Sequence, residues 1–120
     1  MNNLHIPAVR ANELNGDGAV LVDVRETIET ENVWIDKENI VKIPFSEFVE
    51  RGMELPKNQT LILCCAVGLV SEKAAGILRE NGYESVFVLE NGLVGWKDAR
   101  LPLKTIEEVN CKCKCCNEIA

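Results

Sequence analysis

Two runs of almost uninterrupted apolar residues, Ala19-Val-Leu-Val-Asp-Val24 and Thr60-Leu-Ile-Leu-Cys64, restrict this chain more than any other feature. Each is short enough for a strand and lacks the apolar–polar alternation of a strand with one wet face. Both therefore read as strands buried on two sides. A sheet buried on both faces needs cover on both faces, and the segments between the runs supply it. Pro7 to Leu14 reads as a helix closed by the turn Asn15-Gly-Asp-Gly18. Ser46 to Arg51 reads as a helix capped by Ser46 and ended by Gly52. From Ser71 the positions Ala74, Ala75, Ile77 and Leu78 repeat at helical spacing, and Asn81-Gly82 stops them. Ile40 to Ile43 and Ser85 to Leu89 read as two further strands, and Gly92 to Asp98 as a last short helix carrying Trp96. Glu26 to Glu38 is polar and irregular, anchored by Trp34 and Ile35. Strands alternating with helices predict an α/β fold, with a largely parallel central sheet of about five strands and helices on both faces.

The length of 120 residues suits one domain with one core. No apolar run approaches the length of a membrane span, and the first residues do not read as an export signal. The formal charge is −6, with no basic stripe and few aromatic residues, so nucleic acid and anionic membrane are excluded as expected partners. Six cysteines do not make a disulfide framework here. Cys64 and Cys65 are adjacent, and Cys111, Cys113, Cys115 and Cys116 crowd the end, where pairing would staple nothing distant. A reducing cytoplasm is the expected location.

Cys65 ends a buried strand and stands before a helix. At such a place ligands gather in open parallel sheets, and unpaired amides with a partial positive charge favour a thiolate or a bound anion. The loop amides of Ala66, Val67, Gly68, Leu69, Val70 and Ser71 are expected to curve around the sulfur, with Gly68 taking a conformation that other residues resist. From spacing alone Cys65 reads equally well as a nucleophile or as a small buried hydrophobe. Strand geometry points the neighbouring Cys64 the other way, into the core.

Taken together, the motifs resemble the single-domain rhodanese family of sulfurtransferases over roughly residues 6 to 103. Leu21-Val-Asp-Val-Arg-Glu26 is similar to that family's Asp-x-Arg strand end, and Cys65-Ala-Val-Gly-Leu-Val-Ser71 to its Cys-x-x-Gly-x-x-Ser loop. Gly82-Tyr83, Val86 to Leu89 and Gly92-Leu-Val-Gly-Trp96 follow its closing pattern. The resemblance implies a domain over residues 1–104. It also implies a sulfane sulfur carried as a persulfide on Cys65, in two half-reactions that require no cofactor. The partners would be a small sulfane-sulfur donor and a thiol or protein acceptor. Asp23 and Arg25 would support the loop, or simply form a strand-end ion pair. The alternative reading is a non-catalytic module of the same fold that carries sulfur, binds metal or docks a partner.

The chain departs from the family in two places. Val70 stands where a cationic residue often precedes the serine, and Val33-Trp34-Ile35 replaces a Gly-His-Ile segment. Thiosulfate carries two negative charges, which are costly to desolvate without a cation. Weak thiosulfate activity is therefore expected, with persulfide or polysulfide donors favoured. Ser71 stands where related phosphatases end a longer loop with arginine, so ester hydrolysis is not expected.

Residues 105–120 read as a flexible, cysteine-rich tail. Cys111, Cys113, Cys115 and Cys116 could hold zinc or copper(I), could handle sulfur, or could do nothing specific. His5 is assigned no role.

Overall fold

The computed structural model describes residues 4–26, 33–66 and 68–105. In chain order the elements are β1 (Leu4–Ile6), α1 (Ala8–Gly16), β2 (Val20–Asp23), β3 (Val33–Ile35), β4 (Ile40–Lys42) and α2 (Phe45–Arg51). After a 3-10 turn at Gly52–Glu54 come β5 (Leu61–Cys64), α3 (Leu69–Glu80), β6 (Val86–Leu89), α4 (Gly92–Asp98) and β7 (Leu103–Thr105). Five strands form one sheet in the order β1-β6-β5-β2-β4, and every pairing in it is parallel. The expected α/β architecture is the observed one.

The two continuous apolar runs occupy neighbouring central strands, β2 and β5, and all eight of their residues are buried. Successive side chains go to opposite faces. Val20, Val22, Val24, Leu61, Leu63, Cys65, Val86 and Val88 pack with Phe48 of α2 and Ala74, Ala75 and Leu78 of α3. Leu21, Ile62, Cys64 and Leu89 pack on the other side with Ala8 and Ala11 of α1, Leu93 and Trp96 of α4, and Ile35. That division follows from right-handed crossovers. The chain moves one way along the sheet through α2 and α3, and the opposite way through α1.

Four strands of the sheet are legible from sequence; the fifth is β1, a three-residue edge pairing His5 with Val88 of β6. A second, antiparallel ribbon joins β3 to β7, setting Val33 opposite Thr105 and Trp34 opposite Lys104. It places order in a segment expected to be irregular, and carries the packed chain through Lys104 and Thr105. Two helix starts also differ from expectation. α2 begins at Phe45 after Pro44, so Ser46 does not cap it; instead the Ser46 amide and hydroxyl donate to the Glu26 carboxylate at 3.0 and 2.8 Å. α3 begins at Leu69, two residues before Ser71, because Gly68 turns the chain at φ +102°. Tyr83 closes the bottom of this face: its hydroxyl donates to the Leu55 carbonyl at 2.6 Å. No helix among the described residues is long and apolar enough to cross a membrane.

Candidate active site

β2 and β5 lie side by side, yet the chain leaves them in opposite directions. The exit from β2 leads to β3 beneath one face, while that from β5 leads into α3 on the other. A crevice opens between such strand ends. Here it is a cleft of about 220 Å³ lined by Val24, Arg25, Glu26, Phe45, Cys65, Ala66, Leu69 and Val70.

Cys65 lies at the bottom, 3% exposed. Its sulfur accepts a hydrogen bond from the Gly68 amide at 3.0 Å and a longer one from the Ser71 amide at 3.4 Å. The Ser71 hydroxyl stands 3.4 Å away and accepts from the thiol; toward an ionised sulfur it would turn and donate. Gly68 and Ser71 therefore place two amides and a hydroxyl around one atom. Ala66, Leu69 and Val70 contribute to the walls of the cleft, and Val67 lies outside the described residues. Because α3 starts early, Leu69 and Val70 belong to its first turn. Leu69 is 71% exposed at the mouth, an apolar residue left in water.

The peptide behind the sulfur is clamped from the far side. Leu93 N–H donates to the Cys65 carbonyl at 2.8 Å, and Val94 N–H to the Ala66 carbonyl at 3.2 Å. Gly92 makes this approach feasible: a Cβ there would stand 2.1 Å from the Cys65 oxygen, and its φ of +53° favours glycine as well.

Cys64 points to the opposite face, as strand geometry requires, and both cysteines are free thiols. Burial, with Asp23 and Cys65 adding to it, pushes the Cys64 thiol well up. Both influences favour its neutral thiol form.

Asp23 and Arg25 form a fully sheltered pair. The guanidinium Nη2 meets the carboxylate at 2.8 Å, Nε adds a bond at 3.0 Å, and both side chains are at most 4% exposed. Nη2 also donates to the Val33 carbonyl at 2.6 Å, tying the β3–β7 ribbon to the cleft wall. Arg25 is thus neutralised by Asp23, and among the described residues the other charged group of the cleft lining is Glu26. That carboxylate, like the ring of Phe45, was not singled out in the sequence; its place directly after Asp-x-Arg is the signal that could have found it. His5 stands outside the cleft, 3.5 Å from Glu72.

Among the described residues no three His, Cys, Asp or Glu side chains gather as a metal site. The four tail cysteines, with the zinc or copper(I) expectation attached to them, lie outside the described residues.

The family model of the rhodanese-like domain matches residues 8–99. The chain is 29% identical to the thiosulfate sulfurtransferase GlpE of Haemophilus influenzae, over 88% of this chain and 98% of the relative. Among solved structures, it matches a rhodanese-related protein of Thermoplasma volcanium at TM-score 0.74 and 26% identity, covering 87% of this chain and 98% of that one. A NAD-dependent persulfide reductase of A. fulgidus matches at TM-score 0.66 and 32% identity, over 78% of this chain and 16% of that one. Several curated relatives are much longer: the chain spans 22% of one and 27% of another.

Proposed function

The chain belongs to the rhodanese-like family, whose members include sulfurtransferases, and on that premise we propose that it transfers sulfane sulfur through a persulfide on Cys65. The observation that carries this reading is the sulfur of Cys65 at the floor of a cleft, facing two amides and a hydroxyl at 3.0 to 3.4 Å.

In the first half-reaction the Cys65 thiolate attacks the outer sulfur of a donor R–S–SH. The donor's S–S bond breaks, R–S⁻ leaves, and Cys65–S–SH forms. In the second, an acceptor thiolate attacks that outer sulfur and Cys65 leaves as a thiolate. Sulfur changes hands at constant oxidation level in both steps, so no redox cofactor is needed. The Gly68 and Ser71 donors are fixed before reaction and aim at the atom that carries charge as nucleophile and as leaving group, which is how oriented dipoles lower such barriers.

Donor preference follows from charge. Arg25 is occupied by Asp23, the loop carries no cation, and Glu26 adds a negative charge to the lining. A thiosulfate dianion meets repulsion, whereas a persulfide or short polysulfide meets the apolar Leu69, Val70 and Phe45. Persulfide-type donors are the proposed substrates, and thiosulfate a poor one. The fit to persulfide chemistry accords with the activity named for the A. fulgidus relative.

The test is intact mass after brief exposure to polysulfide and, separately, to thiosulfate. One sulfur atom should add at Cys65, faster from polysulfide, and leave when a thiol is supplied. Sulfur mapped to the peptide containing residues 64 and 65 of a Cys65→Ser variant at the wild-type level, or a wild type that gains sulfur at neither Cys65 nor residues 111–116, overturns the reading.

A further inference from the structure

The described chain ends beside the cleft. Thr105 pairs with Val33, the Val33 carbonyl holds Arg25, and Arg25 lines the cleft with Cys65. Paired strands lie about 5 Å apart, so only this ribbon and one arginine side chain separate residue 105 from the cleft. Cys111 follows Thr105 by six residues and Cys116 by eleven. At about 3.3 Å per residue these reach roughly 20 and 36 Å. All four tail thiols are therefore within range of the cleft.

Charge and surface favour this occupant. Among the described residues of the cleft lining the one cation, Arg25, is paired with Asp23, and Glu26 adds a negative charge. The tail reads Cys111-Lys-Cys-Lys-Cys-Cys116, with Lys112 and Lys114 set between its thiols. The cation absent from the loop at Val70 is thus present in the same chain, next to groups able to accept sulfur. The apolar mouth at Leu69 offers contact area for a cysteine-containing segment.

We propose that the C-terminal segment 111–116 is the first acceptor of the sulfur loaded on Cys65, entering the cleft of its own chain. This rests on the Cys65 persulfide proposed above. A tail thiolate attacks the outer sulfur of Cys65–S–S⁻. The bond between the two sulfurs at Cys65 breaks, a new S–S bond forms on the tail, and Cys65 leaves as a thiolate facing the Gly68 and Ser71 amides. The attacking thiol gives its proton to solvent, one persulfide replaces another, and no oxidant is consumed. Tethering at this distance gives an effective thiol concentration of order millimolar, so transfer within the chain outruns transfer to dilute external thiols.

The test is a pulse and chase on the full chain. Protein is exposed briefly to equimolar sodium tetrasulfide, desalted and left without donor. At intervals it is alkylated, and the extra sulfur is mapped to the Cys65 peptide or the tail. The expected result is a first-order shift from Cys65 to the tail, at a rate independent of protein concentration. Replacing Lys112 and Lys114 by glutamate should slow it several-fold. In a Cys65→Ser variant the tail should gain no sulfur during the chase, whatever it acquired in the pulse. Sulfur that stays on Cys65 until an external thiol is added refutes the inference, as does a rate proportional to protein concentration, which would make a second copy the acceptor. A variant with all four tail cysteines changed to serine separates the two claims. If it still loads Cys65 in the pulse, only the tail inference is at stake; if it does not, the Cys65 reading itself fails.

Discussion

Replacing Gly92 by alanine should weaken the fold and misplace the reacting sulfur together. The added methyl would sit 2.1 Å from the Cys65 oxygen and 2.7 Å from both the carbonyl carbon and the oxygen of Ala66, all backbone atoms that cannot swing aside. The N-terminus of α4 must move away by roughly 1 Å or more to restore contact distances near 3.5 Å. That movement breaks or stretches the Leu93-to-Cys65 and Val94-to-Ala66 bonds, each worth about 1 kcal/mol. Alanine at φ +53° adds about 1 kcal/mol of backbone strain. The sum, about 3 kcal/mol, is within the 5–15 kcal/mol typical of domains, so the variant should still fold. Urea denaturation should show a midpoint lowered by roughly 1–2 M with an unchanged slope. Sulfur loading at Cys65 should slow by up to about 100-fold, the consequence of moving a reacting group by an ångström. Gly68→Ala is the comparison. A Cβ there has 3.7 Å of room, so only the strain of φ +102° applies and the loss should be about 1–2 kcal/mol. Equal urea midpoints for wild type and Gly92→Ala would refute the close-approach reasoning. A larger loss at Gly68 than at Gly92 would do the same.

Glu26→Gln should raise loading from thiosulfate. One charge facing a dianion at about 8 Å in a water-like dielectric is worth about 1 kcal/mol, so roughly a fivefold gain is expected at low salt, with little change for neutral donors. An unchanged rate would remove Glu26 from the account of donor preference. Iodoacetamide should leave Cys64 unmodified in native protein, since burial and the neighbouring Asp23 hold its thiol neutral; it should react only after unfolding, and an adduct on Cys64 in folded protein would contradict the two-face assignment. Tyr83 is the chain's single tyrosine, so phenolate absorbance titrates it alone. Burial raises its pKa above the ordinary 10.0, so the unfolded chain releases this proton first. Its contribution to stability is complete below about pH 10 and declines as pH rises toward the folded value. A Tyr83→Phe variant should lose that decline, and a wild-type midpoint flat through this range would reverse the assignment.

The parts visible in the sequence are those whose signal is local. β2 and β5 announce themselves because strands buried on both faces need apolar residues at every position, and the helical repeat of Ala74, Ala75 and Leu78 is long enough to carry a period. β1, β3 and β7 have three residues each, too few for any period, and owe their existence to partners distant in the chain; β4 is as short, but Pro44 marks the end of its apolar run Ile40-Val-Lys-Ile43. The early start of α3 was hidden because Leu69 is apolar yet exposed, so it weakens the amphipathic pattern that marks a helix. Ser46 looked like a cap since its residue type favours that role, but Pro44 fixes the entry one residue earlier and frees Ser46 to hold Glu26. For the site, Cys65, Gly68 and Ser71 share one short motif and could be read together. The Asp23–Arg25 pair is likewise local, two residues apart at a strand end. The clamp at Gly92 and the tie from Arg25 to the Val33 carbonyl, by contrast, are matters of tertiary distance that no spacing encodes.

The β3–β7 ribbon links residue 33 to residue 105, and this has a consequence for the order of assembly during synthesis. Chains emerge N-terminus first, so β7 is the last described element to leave the ribosome, after Cys65 and the residues 92–94 that clamp its peptide. Val33, whose carbonyl holds Arg25, gains its strand partner only when the last described residues emerge. A released chain truncated just before residue 103 should therefore still hold its nucleophile against the Gly68 and Ser71 amides, with the opposite wall of the cleft unfastened.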